Sequence, residues 1–151
     1  MQGYPGSKAT DQYLAQRLEG ASPEQLAAIL LEGGQKFLTL ALAAMGSNDI
    51  PGKARCVNRV ADFILELSLR LNHEDGGEVV DNLDRIYKWW QDELYVGARQ
   101  NQPERLELIR KHMGELAVTW EELHRKKMPI RQPAVSTSAG VPASSLDLMV
   151  G

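Results

Sequence analysis

Residues 22–46 read SPEQLAAILLEGGQKFLTLALAAMG, and this stretch determines how the rest of the chain is interpreted. Ser22 is a good N-cap residue, Pro23 suits the first helical position, and Gln25 is placed to complete a capping box. The apolar residues that follow recur with helical spacing as far as Gly46, which predicts a left-handed end to the helix. The stretch therefore predicts one long helix.

The apolar face of this first helix is unusually wide. It covers roughly 220° of the circumference, whereas a surface helix typically shows a stripe of about 100° or somewhat more. Two explanations remain open, and they do not exclude each other: the helix lies centrally among several neighbours, or part of its face is a groove for another chain. Under the second explanation, Leu31, Leu38 and Leu42 are partly exposed in the free protein. The mid-helix pair Gly33 and Gly34 indicates that another backbone approaches closely.

Turn-forming segments divide the remaining chain into three further helices. The segments are GSNDIPG at 46–52, NHEDGG at 72–77 and NQPE at 101–104. Between and after them, helices are predicted over 53–71, 78–100 and 104–127. The two-residue alternation that indicates strands is absent from the sequence. Helices of this length joined by short links predict an all-α, antiparallel four-helix bundle.

We expect three parts: an N-terminal arm over 1–21, the helical bundle domain over 22–127 and a C-terminal tail over 128–151. The arm has too few apolar residues to form a helix independently, so we expect it to rest weakly on the bundle. The tail contains three prolines and four serines but only two charged residues. This composition predicts disorder. Its closing LDLMV, residues 146–150, is either a short docking motif or a chain end without a role.

Two residues of the third predicted helix lie outside its apolar stripe. Trp89 and Val96 are seven residues apart, and hence lie on one line of the helix, among polar side chains. A tryptophan in such a place is either a candidate binding anchor or a ring that lies flat over a seam between helices. The fourth helix has the narrow apolar stripe typical of a helix that is packed on one side only.

Composition excludes several classes of protein. The net charge of −3, from 17 basic and 20 acidic residues, excludes a nucleic-acid binder that acts through bulk charge. No uninterrupted apolar run approaches the ~18–20 residues that span a bilayer, so membrane insertion is not expected. The N-terminal residues have no apolar core of a secretory signal. The single cysteine, Cys56, excludes an intramolecular disulfide. Together these features favour a cytoplasmic location.

The sequence contains no convincing catalytic or metal-binding pattern. Helical bundles that bind two metals use two Glu-x-x-His pairs, and this chain has one, formed by Glu121 and His124. His124 is better explained as a cation near the end of a helix. Cys56 is interpreted as a small core residue, because no histidine lies near it in the sequence. We therefore expect no catalytic residues, no metal and no cofactor.

The sequence resembles the family of flagellin-specific export chaperones, FliS. The resemblance covers about residues 10–126, and the order of its motifs is more specific than any one of them. The matching residues are Tyr13, Ala21-Ser22-Pro23-Glu24-Gln25-Leu26, Leu30-Leu31-Glu32-Gly33, Phe37-Leu38, Leu71, Gly76-Gly77-Glu78, Leu83, Tyr87 and Trp120.

The chain departs from the family pattern at three places. The family usually has Tyr-Asp-Gly where this chain has Leu31-Glu32-Gly33, and Asp-Phe where it has Asn72-His73. It often has an aspartate cap where this chain has Gln102. These differences are expected to change individual contacts with the client.

The resemblance implies a binding protein without turnover, not an enzyme. Members of the family bind the C-terminal segment of new flagellin, prevent its premature polymerisation and help deliver it to a component of the flagellar type III export gate. A monomer or weak homodimer is expected. The alternative is a generic four-helix adaptor for another helical client. The predicted client-binding residues are Tyr13, Leu31, Gly34, Leu38, Leu42, Trp89 and Val96.

Overall fold

The computed structural model describes Gln12 and residues 15–127, and four long helices account for most of that part. They are α1 (Pro23–Gly46), α2 (Ile50–Leu69), α3 (His73–Arg99) and α4 (Pro103–Lys127). Helix α1 packs against both α2 and α4, and α3 packs against the same two helices. Because short links join successive helices, neighbours run antiparallel. The all-α bundle predicted from the sequence is confirmed.

The start of α1 is fixed by the predicted capping box. The backbone N–H of Gln25 donates to Ser22 Oγ at 3.0 Å, and the backbone N–H of Ser22 donates to Gln25 Oε1 at 3.1 Å. These two bonds use donors that would otherwise have no partner in the first turn. The residues before the helix include a short helical stretch over 15–18 and a turn at Gly20, where φ is 81°.

The link between α1 and α2 differs from the prediction at both ends. The left-handed residue is Asn48, with φ 58°, and not Gly46. Asparagine tolerates this conformation, and Asp49 N–H then donates back to the carbonyl of Ala44 at 2.8 Å. Helix α2 begins at Ile50 rather than at residue 53, because Asp49 Oδ1 accepts a bond from Gly52 N–H at 3.0 Å and acts as the N-cap.

The predicted break at 72–77 consists of a short link, residues 70–72, and a kink at Gly77. Asn72 caps a helical turn from His73 to Gly76 by accepting a side-chain bond from Glu74 N–H at 3.1 Å. The chain then bends at Gly77, whose φ of 61° and ψ of −139° are essentially restricted to glycine. The helix that was expected from residue 78 therefore follows a kink instead of a loop.

The core lies between all four helices. Its largest fully buried side chains include Tyr87 and Trp90 of α3, whose ring centroids are 5.5 Å apart, and Phe37 of α1. Helix α3 is also tied to α2 by side chain to backbone bonds: Gln91 Nε2 donates to the Ala61 carbonyl at 3.1 Å, and Lys53 Nζ donates to the Ala98 carbonyl at 2.8 Å. These bonds fix the outer surface of α3 relative to its neighbours.

Candidate functional site

The wide apolar face of α1 belongs to the core. Leu31 and Leu38 each have 0% of their surface exposed, so the prediction that they are partly exposed in the free protein is wrong. The physical reason is that α2 and α4 cover α1 from both flanks, which buries most of its apolar face and leaves Leu40 43% exposed. Leu42 is half-buried and packs against the same core. The burial of Leu31 and Leu38 therefore supports the central position of α1.

The two mid-helix glycines of α1 accommodate side chains of its neighbours. A Cβ atom on Gly33 would lie 2.5 Å from Cε1 of the Phe63 ring in α2. A Cβ atom on Gly34 would lie 2.7 Å from Sδ of Met113 in α4. The predicted close approach is therefore real, but side chains make it and not another backbone. Gly34 is buried, and we find no open surface there.

Among the predicted client-binding residues, the exposed aromatic one lies instead on the side of α3 that faces α4. Trp89 is 40% exposed, and its ring centroid lies 5.7 Å from that of His112 in α4, with an angle of 34° between the ring planes. Val96 is half-buried two turns further along α3. We name the set Trp89, Val96 and His112 the Trp89 surface. The structure thus brings two of the predicted client-binding residues together and separates them from the α1 leucines.

A strong ion pair lies beside this surface. Arg105 Nη1 of α4 is 2.8 Å from both carboxylate oxygens of Glu93, which lies between Trp89 and Val96 in the sequence of α3. It holds α3 and α4 in register where the Trp89 surface is formed. Sequence reasoning missed Arg105, Glu93 and His112, because their placement depends on which helices become neighbours. The signal available in the sequence was that Glu93 and Arg105, on successive helices, carry opposite charges.

The described part of the arm meets the bundle at the seam between α1 and α4. Arg17 Nη1 lies 3.2 Å from Glu32 Oε1, and both side chains are about two-fifths exposed, so this ion pair is weak. Burial and the neighbouring Glu32 carboxyl raise the pKa of Glu121, while Arg17 and Arg125 oppose that rise. How firmly the arm as a whole rests on the bundle stays a prediction. Tyr13 lies outside the described residues, and so does the tail.

Helix α1 is long and apolar enough to cross a membrane by length and composition, which the sequence analysis did not expect. Many of its apolar residues are nevertheless buried against α2 and α4, among them Leu31, Phe37 and Leu38. A buried core helix satisfies the same test of length and composition. The packing therefore accounts for the apolar character of α1.

The residues considered for chemistry have structural roles. His124 Nδ1 forms a 2.9 Å hydrogen bond with Ser22 Oγ, which joins the last turns of α4 to the N-cap of α1. No cluster of three or more potential metal ligands occurs among the residues that the structure describes. Cys56 is a buried free thiol, and burial raises its pKa although Arg55 opposes the effect.

We expect Cys56 to be unreactive in the folded protein. The thiolate is the reactive form, and burial disfavours it. At neutral pH a thiol-specific reagent such as DTNB should label the native chain at least about 10-fold more slowly than the chain in denaturant. Equal labelling rates in the two conditions would contradict this assignment.

Comparison with known proteins places the chain in a family. Residues 6–127 match the family described as flagellar protein FliS. The chain is 30% identical to flagellar secretion chaperone FliSB of Pseudomonas aeruginosa, over 76% of this chain and 94% of that protein. It is 28% identical to flagellar secretion chaperone FliS of Vibrio cholerae, over 71% of this chain and 79% of that one. The corresponding protein of Salmonella typhimurium is 25% identical, over 70% and 79%. Because the family match spans most of the sequence and includes all four helices, this chain belongs to the FliS family of flagellar secretion chaperones.

Proposed function

We propose that this protein binds the C-terminal segment of flagellin in the cytoplasm, prevents its premature polymerisation and delivers it to the flagellar export gate. The support from the comparisons is that its relatives are named flagellar secretion chaperones. The support from the structure is an exposed aromatic side chain, Trp89, that can act as a binding anchor.

The Trp89 surface is the client-binding region that carries this proposal. A half-exposed tryptophan can bury its remaining surface against a client side chain, and tryptophan is enriched among residues that dominate binding energy. The His112 ring, tilted against the indole, holds it in place before binding, which lowers the entropy lost on association. A flagellin segment that becomes helical on binding would lay its apolar face along Trp89 and Val96.

Fewer of the predicted client-binding residues on α1 remain candidates, because several of them are buried. Leu31, Gly34 and Leu38 could meet a client only if the core opened, so we assign them to stability. Leu42, which is half-buried, stays a predicted contact at the edge of the bundle. Tyr13 also stays a prediction, as part of an arm that is held weakly enough to move when the client binds.

Replacement of Trp89 by alanine tests the proposal. We expect Trp89→Ala to weaken binding of the C-terminal segment of flagellin from the same organism by about 30-fold, equivalent to ~2 kcal/mol. Isothermal titration calorimetry with the purified segment measures this loss. The unfolding midpoint should change little, because the indole is substantially exposed and lies outside the core.

Tyr95→Ala is the matched control. Tyr95 is 45% exposed on the same helix, but lies about 120° round it from Trp89, on the side away from α4. We expect Tyr95→Ala to retain wild-type affinity. Equal affinities for the two variants would exclude the Trp89 surface as the binding site. Failure of the wild-type chain to bind flagellin would exclude the proposed client and favour an adaptor for another helical protein.

A further inference from the structure

An exposed leucine of α4 lies beside the Trp89 surface. Leu108 is 39% exposed, and it lies four residues before His112, whose ring contacts the Trp89 ring. At about 100° per residue, this separation places Leu108 roughly 40° round α4 from His112 and one turn away along the helix. The two side chains therefore lie on the same flank of α4, the one that borders α3.

Two contacts between α3 and α4 fix the position of Leu108 along the seam between these helices. Arg105 Nη1 lies 2.8 Å from both carboxylate oxygens of Glu93, and the His112 ring contacts the Trp89 ring. Leu108 follows Arg105 by three residues and precedes His112 by four, so it lies between the two contacts. Leu108 is therefore level with the stretch of α3 that runs from Trp89 to Glu93.

Trp89, Val96 and Leu108 together form an apolar patch that spans both helices. Trp89 and Val96 are seven residues apart on α3, which separates them by about 10 Å along that helix. Leu108 lies across the seam, at a level between theirs. The patch matches the apolar face of an amphipathic helix, in which residues i and i+7 are also about 10 Å apart and residue i+3 or i+4 lies between them.

The ion pair beside this patch favours an apolar partner over a charged one. Both carboxylate oxygens of Glu93 already contact Arg105, so neither charge needs a further partner. The two side chains are only 17% and 36% exposed, and covering them further removes little additional water. A charged client side chain would lose its own water at this place without gaining a partner. The seam therefore selects apolar side chains.

We propose that the flagellin segment binds as a helix in the seam between α3 and α4, with Leu108 as a third apolar contact beside Trp89 and Val96. Client residues i and i+7 cover Trp89 and Val96, and the apolar residue between them covers Leu108. This inference rests on the proposed function and specifies the chemistry of the bound segment: an amphipathic helix with apolar residues at i, i+3 or i+4, and i+7. The proposed function by itself requires contacts on α3 only.

Leu108→Ala tests whether α4 takes part in binding. We expect this variant to bind the purified C-terminal segment of flagellin from the same organism about 10-fold more weakly, measured by isothermal titration calorimetry. Its unfolding midpoint should change little, because the leucine is substantially exposed.

Val118→Ala is the matched control on the same helix. Val118 is 56% exposed, but it lies about 120° round α4 from His112 and ~15 Å along the helix from Leu108. A client helix in the seam does not reach it, so we expect Val118→Ala to retain wild-type affinity. Equal affinities for Leu108→Ala and Val118→Ala would overturn the inference.

A Trp89→Ala, Leu108→Ala double variant tests whether one client helix contacts both positions. Because the two side chains pack on the same helix, the combined loss of affinity should be at least about 3-fold smaller than the product of the two single losses. Losses that simply multiply would overturn the inference. It would also fail alone, and leave the proposed function intact, if Trp89→Ala weakened binding and Leu108→Ala did not. Absence of binding by the wild-type chain would overturn both.

Discussion

Leu38→Asp should prevent the bundle from folding. The side chain is fully buried on α1, where α2 and α4 cover both flanks of the helix. An aspartate there loses the apolar burial of leucine and places a carboxylate without a partner in the core, at a cost of several kcal/mol. Since a domain of this size has a total stability of about 5–15 kcal/mol, we expect loss of cooperative unfolding in circular dichroism.

Leu40→Asp is the matched control for this prediction. Leu40 lies two residues further along the same helix, and 43% of its surface is exposed. The same substitution there should change stability by about 0.5 kcal/mol or less, because the carboxylate stays in water. If Leu38→Asp unfolded within a few degrees of Leu40→Asp, the α1 face would be an open groove after all, and the assignment of Leu38 to the core would be wrong.

The helices of this protein could be predicted from the sequence because their ends are encoded locally. Ser22 and Gln25 form the expected capping box, and the polar segments fall at the links. The predicted helix bounds were wrong by a few residues where a single side chain or glycine determines where a helix begins or bends. Asp49 caps α2 earlier than expected, and the break predicted over 72–77 is divided between a link at 70–72 and a kink at Gly77.

The client-binding site could be predicted only in part, because exposure is a property of the assembled bundle. The width of the α1 face was evident from the sequence, but whether Leu31 is buried depends on the number of helices that cover it. Trp89 was identified because a tryptophan outside the apolar stripe is unusual along the helix. Its partner His112 lies on another helix, and no spacing within α3 or α4 reveals that contact.

Gly33→Ala should destabilise the bundle, although alanine is the better helix former. The new Cβ would lie 2.5 Å from Cε1 and 2.6 Å from Cζ of Phe63. That ring has little room to move, because it stacks on Phe37 at 5.9 Å and the Arg59 guanidinium lies 5.4 Å from its centroid. Overpacking a core costs about 1–3 kcal/mol and the gain in helix propensity is ~1 kcal/mol, which leaves a net loss of about 0–2 kcal/mol. The middle of that range, about 1 kcal/mol, would lower the unfolding midpoint by roughly 4–8 °C.

Gly34→Ala, at the next residue, separates the effect of the ring from the effect of helix propensity. The new Cβ would lie 2.7 Å from Sδ and 2.9 Å from Cε of Met113. These atoms are at the end of a flexible side chain, which can change its rotamer. The midpoint of this variant should therefore stay within about 2 °C of the wild type.

Replacing the ring in a Gly33→Ala, Phe63→Leu double variant tests the clash directly. The double variant should lose less unfolding free energy than the sum of the losses in the two single variants, because the smaller side chain relieves the clash. If Gly33→Ala is as stable as Gly34→Ala, the Phe63 ring yields easily, and the close packing of α1 against α2 does not explain the glycine at this position.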